Sequence, residues 1–237
     1  MRYVRGYAEL VMKYGSLSRH PLFAPIKPAL RLYSFRRVSI SREFGFCYFR
    51  VPKAANSTIT HSLQVNMAEP GTPIPFEYPK YALHGVPHLD ELSKLFIFTV
   101  VRHPVTRTLS AYLDKGRKKK IKRKYGLYHK DENKQFTFED FLIKLKDGFL
   151  HDEIHWAPQT DILPYDLSKY NYIGKFENLE NDLNFILESI FETPIPMATV
   201  DHHATHAGSR SKDLSKKEIR HLRDLYESDF NAFGYDC

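Results

Sequence analysis

Short apolar runs and longer amphipathic stretches alternate along this chain. "FGFCYFRV" (44–51) is apolar and aromatic-rich, ends at Val51-Pro52 and predicts a strand. "KLFIFTVV" (94–101) is apolar at successive positions, as a central strand of a parallel sheet requires. "YNYIGKF" (170–176) predicts a third strand. Helical patterns lie between them. "NSTITHSLQV" (56–65) follows the first strand, and "PVTRTLSAYLDKGRKKK" (104–120) follows the second with Pro104 in its first turn. Thr137 and Asp140 form a capping box for "FTFEDFLIKLKDG", which Gly148 stops. Leu179, Leu183, Ile186, Leu187 and Ile190 share one face of the helix after the third strand. A second capping box, Ser215 with Glu218, opens a last helix whose apolar stripe is Ile219, Leu222, Tyr226 and Phe230; Leu214 can staple to Ile219.

Strands alternating with helices predict an α/β fold, a central mostly parallel sheet flanked by helices. Ligands in such sheets bind beyond the carboxyl ends of the strands. Residues 1–40 are basic, aromatic and broken by Pro21, Pro25 and Pro28. They are expected to be an N-terminal extension packing on the core, with 41–237 forming a single domain. Residues 69–80 hold four prolines and one glycine and predict a loop.

Composition adds that 42% of the 237 residues are hydrophobic, enough for a core. The formal charge of +7 is local: "KGRKKKIKRK" (115–124) carries eight basic residues and no acid, more than the whole excess. A patch facing a polyanion is the expectation. Cys47, inside a strand pattern, and Cys237, the last residue, suit neither a zinc site nor a disulfide framework, and both are expected to be reduced. No window approaches the roughly 18 apolar residues of a membrane span.

Two loops carry candidate chemistry. In Pro52–Thr58 a strand turns into a helix, which aims backbone N–H groups and the helix dipole at one spot. Ala54, Ala55 and Ser57 are small, Lys53 supplies a charge, and Ser57 and Thr58 supply hydroxyls. Both glycines of a triphosphate-binding loop are missing, so a different anion is expected. In "VVRHPVTRTLSAY" (100–112), Arg102 ends the central strand and Ser110 follows on the helix; an arginine fork suits a phosphate.

Together "RVPKAANST" and "RHPVTRTLSAY" resemble the sulfotransferases that use 3′-phosphoadenosine 5′-phosphosulfate. The segment "DEIHWAPQTDILPYDLSKYNYIGKFENLENDL" (152–183) and the ending "LYESDFNAFGY" are similar to carbohydrate sulfotransferases of the chondroitin and dermatan type. The resemblance spans about 46 to 235. It implies a P-loop-like sulfotransferase fold in which Arg50, Pro52, Lys53, Ala54, Ala55, Asn56, Ser57 and Thr58 bind the 5′-phosphosulfate. Arg102 and Ser110 would bind the 3′-phosphate, and Ser209 and Arg210, in a loop near 203–212, would cover the adenine. The implied product is adenosine 3′,5′-bisphosphate, and no metal is required; His202, His203 and His206 lie in a loop without rigid ligand geometry.

Lys53 would stabilise charge in the reaction. A histidine is the usual base for the acceptor hydroxyl: His84 and His155 are the candidates, with His88 and Glu153 as further options. Trp156, Gln159, Lys118 and Lys119 are candidate acceptor contacts, although Trp156 and Gln159 could simply pack. The acceptor is expected to be a glycan or another hydroxylated, possibly anionic molecule, with no nucleic acid and no membrane span. The anchor, stem and extra cysteines of the animal members are missing from this sequence, from which a soluble, cytoplasmic, bacterial enzyme is expected. Two other readings are a small-molecule kinase with a P-loop-like site, and a polyanion- or nucleic-acid-binding module using 115–124. The first lacks a glycine-rich loop and an acidic magnesium ligand; the second leaves both anion loops unexplained.

Overall fold

A computed structural model describes residues 19–69, 71–74, 85–116, 118–129, 134–196 and 207–236. In chain order the principal elements are α1 (Pro28–Phe35), β1 (Val38–Ser41), β2 (Phe46–Phe49), α2 (Asn56–Asn66), α3 (Leu89–Leu92), β3 (Phe96–Val101) and α4 (Pro104–Ala111). They continue with α5 (Lys119–Tyr125), α6 (Phe138–Lys146), α7 (Gln159–Ile162), β4 (Tyr172–Lys175), α8 (Leu179–Ile190), α9 (Ala207–Arg210) and α10 (Lys216–Phe233). Two compact units result, one of Met1–Val101 with Ile162–Val200 and one of Arg102–Asp161 with Asp201–Cys237.

The first unit is an α/β layer. Its four strands lie in the order β1-β2-β3-β4, with β1 antiparallel to β2 and the other two pairs parallel. Alternate residues face opposite sides, as the two-residue period of a strand demands. Phe46, Tyr48, Phe98 and Val100 point to one side and join Ile59 and Leu63 of α2 with Leu183, Ile186 and Leu187 of α8 in one apolar cluster. On the other side Phe49 meets Tyr165 and Tyr170. Burying side chains of this size stabilises by about 1.5–3 kcal/mol each. The three expected strands form over 46–49, 96–101 and 172–175, each shorter than its sequence pattern. The fourth, β1, lies where the sequence pattern predicts no strand, at the end of the expected extension. "VSIS" is too short and too polar to stand out, yet all four residues are buried.

The second unit is helical. Its core gathers Leu109 and Tyr112, Phe138, Phe141 and Leu142 of α6, Trp156, and Leu222, Tyr226 and Phe230 of α10. Both predicted capping boxes form, Thr137 with Asp140 and Ser215 with Glu218. The single helix expected over 104–120 is instead three pieces. After α4 the backbone widens into a π-helical stretch, Tyr112–Gly116, before α5 begins at Lys119. Tyr112 is anchored there, its hydroxyl donating to Phe136 O at 2.9 Å. Among the described residues no helix is long and apolar enough to cross a membrane.

Candidate functional site

In the first unit the candidate anion loop, Pro52–Thr58, follows β2. Thr99 Oγ1 donates to Phe49 O at 2.7 Å, and Arg50 N donates to Arg37 O at 2.8 Å, so both sides of the strand end are held. The Arg50 guanidinium is buried and donates from Nη2 to Arg36 O. Two residues without glycine's freedom then take left-handed backbone: Lys53 at φ 70° and Ala55 at φ 52°. Each such residue costs roughly 1–2 kcal/mol. Between them Ala54 is fully buried, while Lys53 and residues 55–58 are half-buried. Ala55 is the N-cap of α2 and has no side-chain oxygen to offer the first-turn N–H groups. No acid lies in that first turn. Pro52 is buried. Asn56, Ser57 and Thr58 form the first turn itself, and Asn56 O accepts from Thr60 Oγ1 at 2.7 Å.

In the second unit Arg102 follows β3 directly in the chain. Its Nε donates to Thr106 Oγ1 at 3.1 Å, and it is largely buried. His103 caps α4: Nδ1 accepts from Val105 N, so Nε2 carries the proton and donates to Asp236 O at 2.9 Å. Ser110 is buried on α4, which has no acid in its first turn. Behind these residues lies a buried polar hub that the sequence pattern does not announce. Gln159 exchanges two hydrogen bonds with the Arg102 main chain, accepting from N at 2.9 Å and donating to O at 2.8 Å. Asp229, fully buried, accepts from Gln159 N and Thr160 N at 2.8 and 2.9 Å. Arg107, also fully buried, donates to Ala157 O at 2.8 Å and Ile154 O at 3.1 Å. Burial lowers the Arg107 pKa. Burial raises that of Asp229, against the opposing charge of Arg107 and the hydrogen bonds from Gln159 and Thr160. A clue to this hub exists in the sequence: Asp229 lies three residues after Tyr226 and next to Phe230, so it shares the apolar stripe of α10.

A second polar chain surrounds His155. Its Nδ1 lies 2.6 Å from Glu153 Oε1, Tyr125 Oη donates to Glu153 Oε2 at 3.0 Å, and Lys124 Nζ donates to Tyr125 Oη. Burial alone would raise the Glu153 pKa, but bonds from His155 and Tyr125 and the Lys124 charge outweigh it and hold the carboxyl below its ordinary value. Burial pushes the Tyr125 phenol up to about 12, with Glu153 adding to it and Lys124 opposing.

The other predicted residues separate. His84 lies outside the described residues, as do His202, His203, His206 and Cys237. His88 is the N-cap of α3, its N–H donating to Glu91 Oε1 at 3.0 Å. Ser209 and Arg210 are exposed on the short α9. Lys118, the exposed N-cap of α5, pairs with Asp114 at 2.8 Å, and Lys119 is exposed. Cys47 is a buried free thiol. Trp156 and Gln159, given as acceptor contacts or as packing residues, are both fully buried, which is what packing requires. Trp156 packs edge-on against Tyr125 and Phe141 and donates from Nε1 to Phe149 O at 2.9 Å, and the Gln159 amide is taken up by Arg102 and Asp229.

The model of the Sulfotransferase family matches residues 36–236. Carbohydrate sulfotransferase 10 of Danio rerio is 31% identical, over 62% of this chain and 48% of that protein. Carbohydrate sulfotransferase 10 of Xenopus laevis is 26% identical, over 87% and 69%, and carbohydrate sulfotransferase 9 of Homo sapiens 26%, over 96% and 58%. The chain thus spans about half the length of the first of these relatives. No solved structure matches it. These relatives are vertebrate proteins, which overturns the expectation of a cytoplasmic bacterial enzyme. With the family model matching most of its length, the chain belongs to the Sulfotransferase family.

Proposed function

We propose that the chain transfers a sulfuryl group from 3′-phosphoadenosine 5′-phosphosulfate to a hydroxyl of a carbohydrate acceptor. The observation that carries this reading is the turn Pro52–Thr58. Its two left-handed residues, Lys53 and Ala55, bend a glycine-free backbone of small residues into the start of α2, with a lysine in the turn. Backbone N–H groups at a helix start with a nearby lysine suit an anion, which supports reading this turn as a P-loop-like anion cradle. The residues fit the donor: no acid lies in the first turn of α2 or α4, and each turn carries a basic residue within or just before it. Lys53 and the N–H groups of residues 55–58 hold the 5′-phosphosulfate. Arg102 and Ser110 hold the 3′-phosphate, and Ser209 and Arg210 cover the adenine.

The acceptor oxygen attacks sulfur in line with the bridging oxygen of the 5′-phosphate. The new S–O bond forms as the old one breaks, and the electron pair leaves on the phosphate oxygen. Lys53 stabilises that charge, which a fixed cation does without reorganising. His155 takes the hydroxyl proton. With Nδ1–H directed to Glu153, Nε2 carries the lone pair and acts as base. Exposed cations of α5, Lys119 among them, draw in an anionic glycan.

The test is transfer of labelled sulfate from the phosphosulfate donor to chondroitin or dermatan, with wild type and Lys53→Ala. Labelled glycan from wild type and little from the variant is the expected result. Phosphate transfer from ATP with magnesium, and none from the phosphosulfate, would replace this reading by a kinase.

A further inference from the structure

We infer that Gln159 and Asp229 are positioning residues for Arg102, and through it set the preference for a nucleotide bearing a 3′-phosphate. The inference rests on the proposed donor reading. Arg102 sits just beyond β3 and two residues before Pro104, outside both the strand and the helix that follows. Gln159 holds its peptide groups there. One primary amide accepts from Arg102 N and donates to Arg102 O, so it occupies the place of a neighbouring peptide group. Only a side chain carrying both donor and acceptor can do this.

The amide is itself held. Asp229 Oδ2 accepts from Gln159 N at 2.8 Å and from Nε2 at 3.2 Å, which also decides which end of the amide is nitrogen. Asp229 Oδ1 accepts from Thr160 N at 2.9 Å and Thr160 Oγ1 at 3.0 Å. Four donors on one fully buried carboxylate leave it a single orientation. The side chain of Arg102 is aimed in turn by Thr106, whose Oγ1 accepts from Nε at 3.1 Å and donates to His103 O at 3.2 Å. A guanidinium held at both its backbone and its Nε presents its terminal nitrogens in one direction, which is what bidentate recognition of a phosphate needs.

The experiment is calorimetry with two probes, adenosine 3′,5′-bisphosphate and adenosine 5′-phosphate, on wild type, Arg102→Ala, Gln159→Met and Gln159→Glu. Gln159→Met keeps volume and removes both bonds to Arg102; Gln159→Glu keeps the acceptor, removes the donor and adds a second carboxylate beside Asp229. The preference for the bisphosphate should fall about tenfold or more in both variants, and most in Gln159→Glu, while 5′-phosphate binding stays within about twofold. A merely structural role would weaken both probes alike. Preference lost in Arg102→Ala but kept in Gln159→Met overturns this inference and leaves the donor reading standing; no preference in wild type overturns the donor reading itself. Should the variants not fold, the Gln159 side-chain amide resonances of wild type decide. They should shift with the bisphosphate and not with the 5′-phosphate, and resonances unmoved by either contradict the inference.

Discussion

His155 Nδ1 and Glu153 Oε1 are 2.6 Å apart, and the carboxylate that orients the imidazole is itself tied to Tyr125. In the proposed mechanism Nδ1–H points to this carboxylate and Nε2 is the base. His155→Ala should therefore lower kcat by about a hundredfold or more while the affinity for adenosine 3′,5′-bisphosphate is unchanged. Steady-state kinetics beside nucleotide calorimetry check it. An unchanged kcat would return the base to another group.

Glu153 also predicts a pH dependence of stability. Its folded pKa lies below the ordinary 4.5, so its ionised form stabilises the folded chain above that pH. The contribution is lost as pH falls through the lower folded value. Glu153→Gln should thus be less stable than wild type at pH 7, and the two melting curves should converge below about pH 4.5. A gap that widens on acidification would contradict this sign.

The left-handed Ala55 makes a prediction about the shape of the turn before α2. Ala55→Gly should leave stability nearly unchanged, because relief of strain offsets the freedom a glycine adds to the unfolded chain. Ala55→Val should cost about 1–2 kcal/mol or more, since a branched side chain tolerates φ above zero poorly. Urea unfolding of both variants distinguishes the cases.

Gly174 of β4 lies under α8. A Cβ there would come within 3.2 Å of Asp182 Cβ and 3.3 Å of Val100 Cγ2. Asp182 uses this closeness to accept from Lys175 N, Tyr172 Oη and Asn178 Nδ2. Gly174→Ala should destabilise by about 1–3 kcal/mol through overpacking and the loosened cap. Thermal unfolding would show it, and an unchanged midpoint would mean the helix can give way.

Local features were legible and distant ones were not. The capping boxes at Thr137 and Ser215 need only residues three apart, and both form as the pattern predicts. The strands over 96–101 and 172–175 announce themselves by apolar density. Gln159 and Trp156 have the polar or aromatic character of binding residues. What buries them comes from about 70 residues later: Asp229 for the amide, and the Tyr226 hydroxyl on Trp156 O. No window of sequence holds such a pair. Arg107 is a similar case, a charge that a surface pattern would place in water and that the fold spends on two carbonyl oxygens. The relay from Lys124 to Glu153 was hidden because the basic run reads as uniform charge, although Lys124 caps a phenol.

The most direct measurement is calorimetric titration of adenosine 3′,5′-bisphosphate into wild type and Arg102→Ala at one salt concentration. The account predicts binding to wild type and a loss of about a hundredfold in the variant, the effect of removing a charged, bidentate phosphate contact. Equal binding to both proteins, or none to wild type, would contradict it.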